Sequence, residues 1–242
     1  MKDRKNSTFR WLFWGYVGAF IANETLSVWF GGRWFESWLC LNNQGSAWTQ
    51  PWRLITYSFL HRNGWHLLFN LLLLYGFVRF LLYDTVSPQR WLLLYGLGII
   101  VGGIFWTLVH HKQDSSVLVG ASAGICSLFT YYCLQNPEKS FSGLLYFFFP
   151  VHIQAKWCFW ALTAYTGWNT LFYEVQGFTH VAHSAHFGGI LVGWLAIEYP
   201  KHRLFPSFKR KKSSRKATYQ VHRHSYQNTP FALSSLFQCK SL

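Results

Sequence analysis

Ser122 is the residue whose type and surroundings best suit chemistry, because it stands between Gly120 and Gly124 in the apolar stretch 117–134. A serine in a membrane helix usually bonds back to the carbonyl four residues earlier, and two glycines at this spacing usually let helices pack closely. Histidines also occur in two other apolar stretches. Polar groups at bilayer depth are functional candidates, so the pattern favours a nucleophilic serine in a hydrated cavity between helices.

His186 could supply the base for that serine. It lies in the stretch 183–197 and precedes Gly189 and Gly193, a second pair of small residues four apart. Two such helices can pack backbone to backbone, which brings an imidazole within about 3 Å of a serine hydroxyl. None of the eight acidic residues stands where it would clearly complete a triad. The sequence therefore predicts a Ser–His dyad, in which His186 takes the proton of Ser122 and returns it to the leaving amine.

A second polar group lies where the stretch 66–83 begins, with His61, His66 and Asn70 spaced by five and four residues. His66 and Asn70 are about one helical turn apart, so they share a face, and both side chains can donate hydrogen bonds. They could satisfy each other and the loop backbone. They could also point at a developing oxyanion, in which case the loss of one donor lowers turnover by about 10²–10³-fold.

A zinc site is the competing interpretation of the histidines, since His183 and His186 can lie on one helix face. The chain has no HExxH motif and no carboxylate beside either histidine pair. A zinc protease inside a membrane would need both. The five cysteines show no metal spacing. The sequence therefore disfavours a zinc site.

The composition indicates a membrane protein, with 51% hydrophobic and 12% charged residues, about half the charged share of a soluble domain. A bilayer core takes about 20 apolar residues per helix. Six stretches approach that length, which predicts an all-α polytopic membrane protein built as a six-helix bundle. The predicted spans are residues 11–30, 66–83, 91–109, 117–134, 151–172 and 183–197, with the fifth able to begin in the apolar run 144–149.

The basic residues predict the orientation of this bundle. Six spans place both termini on one side, and all but four of the 22 Lys and Arg residues lie on that side, the four being Arg33, Arg53, Arg62 and Lys112. The positive-inside rule puts that side in the cytoplasm. Residues 11–30 can span and show no cleavage site, so we expect no signal peptide. A bacterial plasma membrane is the predicted location.

The chain divides into three predicted parts. Residues 1–10 are a cytoplasmic N-terminal tail, residues 11–199 the six-helix domain, and residues 200–242 a basic cytoplasmic tail with the composition of a disordered segment. Within the domain, residues 31–65 are a long outer loop whose aromatic side chains suit the headgroup region. The basic tail could bind anionic lipid or only anchor the topology, and no nucleic-acid partner is expected.

The motifs together resemble a known family, the rhomboid intramembrane serine proteases. The resemblance covers roughly residues 9–199 and is specific because the motifs occur in order and on the predicted spans. These motifs are Trp52-Arg53, His61-x4-His66-x3-Asn70, Gly120-Ala121-Ser122-Ala123-Gly124 and Ala185-His186-x2-Gly189-x3-Gly193.

The resemblance implies a role for each of these residues. Ser122 would be the nucleophile and His186 the base. The oxyanion hole would consist of Asn70, His66 and the backbone N–H of Ser122. The residues in structural support would be His61, Trp52, Arg53, Gly120, Gly124, Gly189 and Gly193.

The resemblance also implies a substrate class. Rhomboid proteases cleave single-span membrane proteins near the outer face, at small residues in segments where the helix is destabilised. The fifth span would then be the substrate gate and residues 173–182 the cap over the site. Such a hydrolase needs neither a metal nor a nucleotide.

Two positions depart from the family pattern. Many rhomboids have a tyrosine four residues after the nucleophile, packed against the catalytic ring, and Cys126 stands there in this chain. Ala123 also replaces a frequent glycine. The alternative is a catalytically silent rhomboid-like protein that binds membrane clients, against which the presence of Ser122 and His186 argues. A transporter is disfavoured because the spans offer few charged residues, chiefly Glu24.

Overall fold

The computed structural model describes residues 2–32, 34–44, 46–81, 86–110, 116–145, 149–179 and 181–198. The predicted basic tail, residues 200–242, lies outside these ranges, as does the end of the predicted second span at residues 82–83. Helices dominate the described residues.

The helices are α1 (Lys2–Phe30), α2 (Trp34–Leu39), α3 (Ser46–Thr49), α4 (Arg53–Thr56), α5 (Gly64–Gly76), α6 (Pro88–Val109), α7 (Ser122–Gln135), α8 (Ala155–Asn169) and α9 (His183–Glu198). A 3₁₀ turn (Tyr57–Phe59) follows α4, and π-helical turns extend α5 (Phe77–Leu81) and α8 (Thr170–Glu174). The short strands are β1 (Leu41–Asn42), β2 (Val117–Leu118), β3 (Ser140–Leu145) and β4 (Phe149–Gln154). The predicted tail at residues 1–10 is thus helical from Lys2 onward.

Helix α6 lies at the centre of the packed core. It begins at Pro88, which suits the first helical position because proline lacks the N–H that would have no partner there, and the Ser87 side chain accepts the N–H of Arg90. Its inward face buries large aromatic side chains, Trp91, Tyr95 and Trp106. Among the described helices, α6 alone is both long and apolar enough to cross a membrane by length and composition.

The segment between α1 and α5 packs as a compact unit rather than as an extended loop. It contains α2, α3, α4, β1 and the 3₁₀ turn, and it buries Leu41, Tyr57 and Leu60. The Tyr57 hydroxyl donates to the carbonyl of Ile99 at 2.8 Å, which fastens the segment to α6. We call residues 34–60 the connecting segment.

The prediction that residues 117–134 form one helix is wrong at its start. Residues Val117–Leu118 are strand β2, which pairs antiparallel with β1 in the connecting segment, and α7 begins only at Ser122. Gly120 has φ of +111°, a conformation that side chains other than glycine rarely adopt and that no helix continues through. The backbone therefore turns sharply just before the serine.

The prediction of helix from residue 151, or earlier in the run 144–149, is also wrong. Strands β3 and β4 form an antiparallel hairpin with Ser140 opposite Gln154 and Leu145 opposite Phe149. Periodicity alone cannot separate a short continuous apolar run in a strand from one in a buried helix. Helix α8 consequently starts at Ala155 and has only 15 residues.

Candidate active site

Ser122 and His186 lie in direct hydrogen-bond contact, with 2.7 Å between Ser122 Oγ and His186 Nε2. Ser122 is the first residue of α7, and His186 lies in the first turn of α9. Both are partly buried. A hydroxyl that donates to an imidazole nitrogen can lose its proton to that nitrogen as it attacks, so this pair has the geometry of an activated nucleophile.

Glycines allow the helices that carry this pair to meet closely. A Cβ on Gly189 or Gly193 of α9 would strike the backbone of α7, at Ala123 and Ser127 respectively. A Cβ on Gly124 of α7 would lie 2.6 Å from the ring of Tyr95 in α6. Gly189 and Gly193 therefore lie where α9 meets α7, whereas Gly124 lies where α7 meets α6.

The turn before Ser122 is fixed by its neighbours. The N–H of Gly120 donates to the carbonyl of Tyr57 at 3.1 Å, and a Cβ on Gly120 would lie 2.7 Å from the His66 ring. No side chain caps α7, so the N–H groups of its first turn, including that of Ser122, have no partner within the helix. The turn thus presents backbone donors beside the serine hydroxyl.

His66 and Asn70 line the same cavity as Ser122 and His186. This cavity has a volume of about 400 Å³ and is otherwise mostly apolar, with Phe69 among its walls. The Asn70 side-chain NH₂ donates one hydrogen bond to the carbonyl of His66 at 2.8 Å, which leaves its second N–H. One of the two Asn70 N–H groups thus bonds to the backbone, and the other is left for the cavity.

The ring of His66 has one nitrogen engaged by the backbone. The N–H of Arg62 donates to His66 Nδ1 at 3.4 Å, so a neutral ring carries its hydrogen on Nε2. That Nε2 faces Gly120, 2.9 Å from where a Cβ would stand. A donor at this position is directed toward the turn that precedes Ser122.

His61 supports the His66 ring rather than lining the cavity. It is buried, and its ring meets that of His66 edge to face with centroids 5.0 Å apart, while Tyr16 of α1 packs on it at 5.8 Å. Burial lowers the pKa of His61 to about 4, and the neighbouring His66 adds to that effect. His61 is thus a neutral wedge between α1 and the start of α5.

Trp52 and Arg53 differ in their burial and in the hydrogen bonds that their side chains make. The Arg53 guanidinium is buried and donates to the carbonyls of Ser37 at 2.5 Å and Cys40 at 2.7 Å, and also to the side chain of Gln50. Trp52 is 47% exposed and makes one bond, from its indole N–H to the carbonyl of Trp38 at 3.3 Å. Arg53 therefore carries most of the polar contacts that this pair makes in the connecting segment.

The His186 ring has an aromatic neighbour in the His183 ring. The His183 ring meets the His186 ring at 87° with centroids 5.9 Å apart, and Tyr165 of α8 in turn meets His183 at 80° and 5.4 Å. Cys126 packs against the apolar core. His183 thus contacts the candidate base as an edge-on aromatic neighbour.

Sequence reasoning missed two features of the site. Gly102 of α6 contacts both other helices, since a Cβ there would lie 2.6 Å from Ala123 Cβ and 2.7 Å from the carbonyl of Ala185. The spacing Gly98-x3-Gly102 could have indicated it. Glu174 ends the π-helical turn after α8 and is buried against the start of α9, and nothing in the sequence pattern predicted that placement.

Metal-binding side chains do not gather in the part of the chain that the structure describes, where no three His, Cys, Asp or Glu side chains could hold one ion. The His183–His186 pair faces Tyr165 and Ser122.

Comparison with known proteins agrees with this architecture. The family model described as the Rhomboid domain matches residues 48–200. A curated relative, rhomboid-like protein 11, chloroplastic, of Arabidopsis thaliana, is 26% identical over 203 residues, which cover 82% of this chain and 68% of that protein.

A helical bundle with a serine and a histidine meeting between glycine-lined helices is the plan of an intramembrane rhomboid fold. The chain belongs to the rhomboid family, because the domain match spans more than half of it. It is therefore an integral membrane protein.

Proposed function

We propose that this chain is a serine endopeptidase that hydrolyses peptide bonds in or near the transmembrane helices of membrane-protein substrates. The observation that carries the proposal is the 2.7 Å hydrogen bond between Ser122 Oγ and His186 Nε2, at the start of a helix whose first N–H groups have no partner within the helix. Rhomboid membership alone is compatible with an active protease or with a silent relative. The intact pair favours the protease.

The proposed reaction begins when Ser122 Oγ attacks the carbonyl carbon of the scissile bond. His186 Nε2 accepts the hydroxyl proton, and the carbonyl oxygen becomes an oxyanion. The bond to the leaving amine then breaks as Nε2 returns that proton to the amine nitrogen. A water molecule, deprotonated by the same nitrogen, hydrolyses the acyl ester and restores Ser122.

The oxyanion would be stabilised by donors on two sides. The backbone N–H of Ser122 lies at the positive end of α7, and the Nε2–H of His66 faces the adjacent turn. Asn70 has one N–H left after its bond to the His66 carbonyl. Asn70→Ala should then lower turnover by about 10²–10³-fold, with a smaller effect on binding.

The cavity supports a preference for small residues at the cleaved bond. Its volume is about 400 Å³, and its walls at Phe69, Leu73 and Val119 are apolar. A short, unwound apolar segment fits such a cavity better than an intact helix of about 10 Å diameter. Single-span membrane proteins with helix-destabilised segments are the substrates that we propose.

Six membrane spans, with both termini in the cytoplasm, are part of the same proposal. The distribution of Lys and Arg supports it. A thiol reagent that cannot cross the membrane tests the orientation in intact cells: it should modify Trp48→Cys in the connecting segment but not Lys139→Cys after α7. The basic tail at residues 200–242 would be on the cytoplasmic side of the membrane, as Lys139 would, where it could bind anionic lipid. The location in a bacterial plasma membrane stays a prediction.

Covalent labelling tests the mechanism without knowledge of the substrate. The purified protein is treated with a fluorophosphonate probe, which reacts with activated serines. We expect labelling of the wild-type protein and none of Ser122→Ala or His186→Ala, with all three proteins monodisperse and equally folded. An active Ser122→Ala protein would refute the mechanism. A folded wild-type protein that does not react would favour a relative that only binds membrane clients.

A further inference from the structure

Glu174 is a buried carboxylate that the proposed reaction does not use. It ends the π-helical turn after α8 and is 2% exposed. One carboxylate oxygen accepts the backbone N–H of Ser184 at 2.6 Å, and the other accepts the Ser184 hydroxyl at 2.7 Å. The hydroxyl of Thr170 lies 3.4 Å from the first oxygen. Burial raises the pKa of Glu174, while these hydrogen bonds oppose the rise.

The bonds from Ser184 tie the end of α8 to the beginning of α9. Ser184 is the second residue of α9, where backbone N–H groups lack partners inside the helix. A carboxylate there satisfies one of those donors and interacts favourably with the helix dipole. Since a buried carboxylate without such partners is strongly disfavoured, the two short bonds fix the distance between the two helices.

A third helix reaches the same carboxylate. His110 follows the last residue of α6, and its Nε2 lies 3.7 Å from Glu174 Oε1. The His110 ring stacks on Trp106 and its Nδ1 lies 3.0 Å from the Trp106 carbonyl, so Nε2 is the nitrogen directed at Glu174. Glu174 therefore lies where α6, α8 and α9 meet.

The first turn of α9 also contains His186. The N–H of His186 donates to the carbonyl of Ala182 at 3.2 Å, and its ring packs edge-on against that of His183. Ser184 lies between these two histidines in the chain. Any shift of Ser184 relative to α6 and α8 would thus move the imidazole that must stay 2.7 Å from Ser122 Oγ.

We infer that Glu174 is a positioning residue, which holds the first turn of α9 against the end of α8 and so keeps His186 in place for reaction with Ser122. The inference rests on the proposed function and deepens it. Glu174 acts through the backbone and hydroxyl of Ser184 and not on the ring of His186. The dyad would then have a supporting acid without being a triad. The same contact couples the position of α8 to the reactivity of Ser122.

The test uses full-length protein and fluorophosphonate labelling at several probe concentrations, which separates the maximal rate from the half-saturating concentration. We expect Glu174→Ala to lower the maximal rate at least tenfold with a half-saturating concentration within twofold of wild type. Glu174→Gln should stay within threefold, because its amide oxygen can accept the Ser184 N–H while the Ser184 hydroxyl turns to accept from its NH₂. The matched control is Glu138→Ala, an exposed carboxylate bonded to Lys156, which should not change either value.

Two outcomes would overturn the inference: a wild-type maximal rate in Glu174→Ala, or a loss confined to the half-saturating concentration. If Glu174→Ala does not fold, Ser184→Ala takes its place, since it removes one of the two short bonds. We expect a rate three- to tenfold below wild type, and a wild-type rate would overturn the inference.

Hydrogen exchange separates this inference from the proposed function. The Ser184 amide should exchange faster in Glu174→Ala, or in Glu174→Gln to a lesser degree, whether or not Ser122 is reactive. An unreactive wild-type protein defeats the proposed function alone. Unchanged exchange at Ser184 in a folded Glu174→Ala protein defeats the positioning role.

Discussion

Helices α8 and α9 are consecutive in the chain, but they differ sharply in how much of each is buried. Nine of the 16 residues of α9 are buried, against three of the 15 residues of α8. Gly188, Gly189 and Gly193 let the backbone of α9 approach the backbones of α6 and α7. Backbone contacts as close as these leave little freedom in the relative position of Ser122 and His186.

Helix α8 instead presents large aromatic side chains outward. Trp157, Trp160 and Trp168 are each more than half exposed, and its packed residues are Ala155, Phe159 and Thr166. In a membrane protein such a surface faces lipid, which any apolar side chain can contact without a fixed geometry. The Ser122–His186 pair is thus built on the closely packed part of the bundle, whereas α8 beside it is mostly exposed and is bonded to α9 through Glu174.

The largest effect on the labelling of Ser122 should come from adding a single methyl group to α6, where it meets α7 and α9. Gly102→Ala places a Cβ 2.6 Å from Ala123 and 2.7 Å from the Ala185 carbonyl, so α6 must move away from α7 and α9. Such overpacking typically costs about 1–3 kcal/mol, and a 1 Å displacement of a reacting group can cost about 100-fold in rate. Fluorophosphonate labelling of Ser122 should fall about 100-fold, measured on folded protein.

The matched control lies in the same helix. Gly96 has open space where a Cβ would stand, so Gly96→Ala should keep the labelling rate and raise stability by up to about 1 kcal/mol through helix propensity. Equal effects of the two substitutions would show that close packing does not set the geometry of the pair.

Substitutions of Trp52 and Arg53, which the sequence motif grouped together, test which contacts stabilise the connecting segment. Arg53→Ala removes a buried guanidinium and leaves the carbonyls of Ser37 and Cys40 without their donors, each at a cost of about 1–3 kcal/mol. Trp52→Ala removes one longer bond from a side chain that is about half exposed. Thermal unfolding in detergent should show a larger fall in melting temperature for Arg53→Ala. A larger fall for Trp52→Ala would contradict the conclusion that Arg53 makes the more stabilising contacts of the two.

The pH dependence of stability tests the wedge formed by His61. Its pKa is about 4 in the folded protein and about 6.5 when unfolded. The unfolded chain therefore binds more protons between these values, so the fold loses stability, by about 2 kcal/mol, as the pH falls from 6.5 to 4.5. Phenylalanine keeps the ring contacts and cannot be protonated. The melting temperature of His61→Phe should decline less over this range, and parallel declines would argue against a buried neutral His61.

The smallest effect should come from α8. The nearest atom to a Cβ on Gly167 is in the ring of Phe187, at an ordinary contact distance of 3.9 Å. Gly167→Ala should leave the labelling rate within twofold of wild type and the melting temperature unchanged or slightly raised. A loss comparable to that of Gly102→Ala would mean that α8 is held as tightly as α9, and the contrast between the helices would fail.

The sequence predicted the elements that repeat a strong local pattern. The long apolar run of α6 and the glycine spacing of α9 were recognisable, because each reports a property of one helix. The glycine pair of α9 does touch the backbone of α7, as small residues four apart indicate, but Gly120 and Gly124 contact His66 and Tyr95 instead of α9. Gly102 carries the same signal on α6 and was overlooked.

Features that depend on contacts between distant segments were not predictable in this way. The helix at residues 117–121 is replaced by a strand and a turn because β2 pairs with Leu41–Asn42, some 75 residues earlier in the chain. Glu174 stands in no motif, and its importance arises only when Ser184 and His110 fold around it. A local sequence pattern does not identify contact partners that are distant in the chain.

The pairing of β1 with β2, and the bond from Gly120 to Tyr57, also divide the candidate site between two parts of the chain. The turn before Ser122 is held by Leu41, Asn42 and Tyr57, which precede it, whereas His186, the partner of Ser122, follows that serine by 64 residues. Neither the earlier nor the later part of the chain therefore contains the whole site.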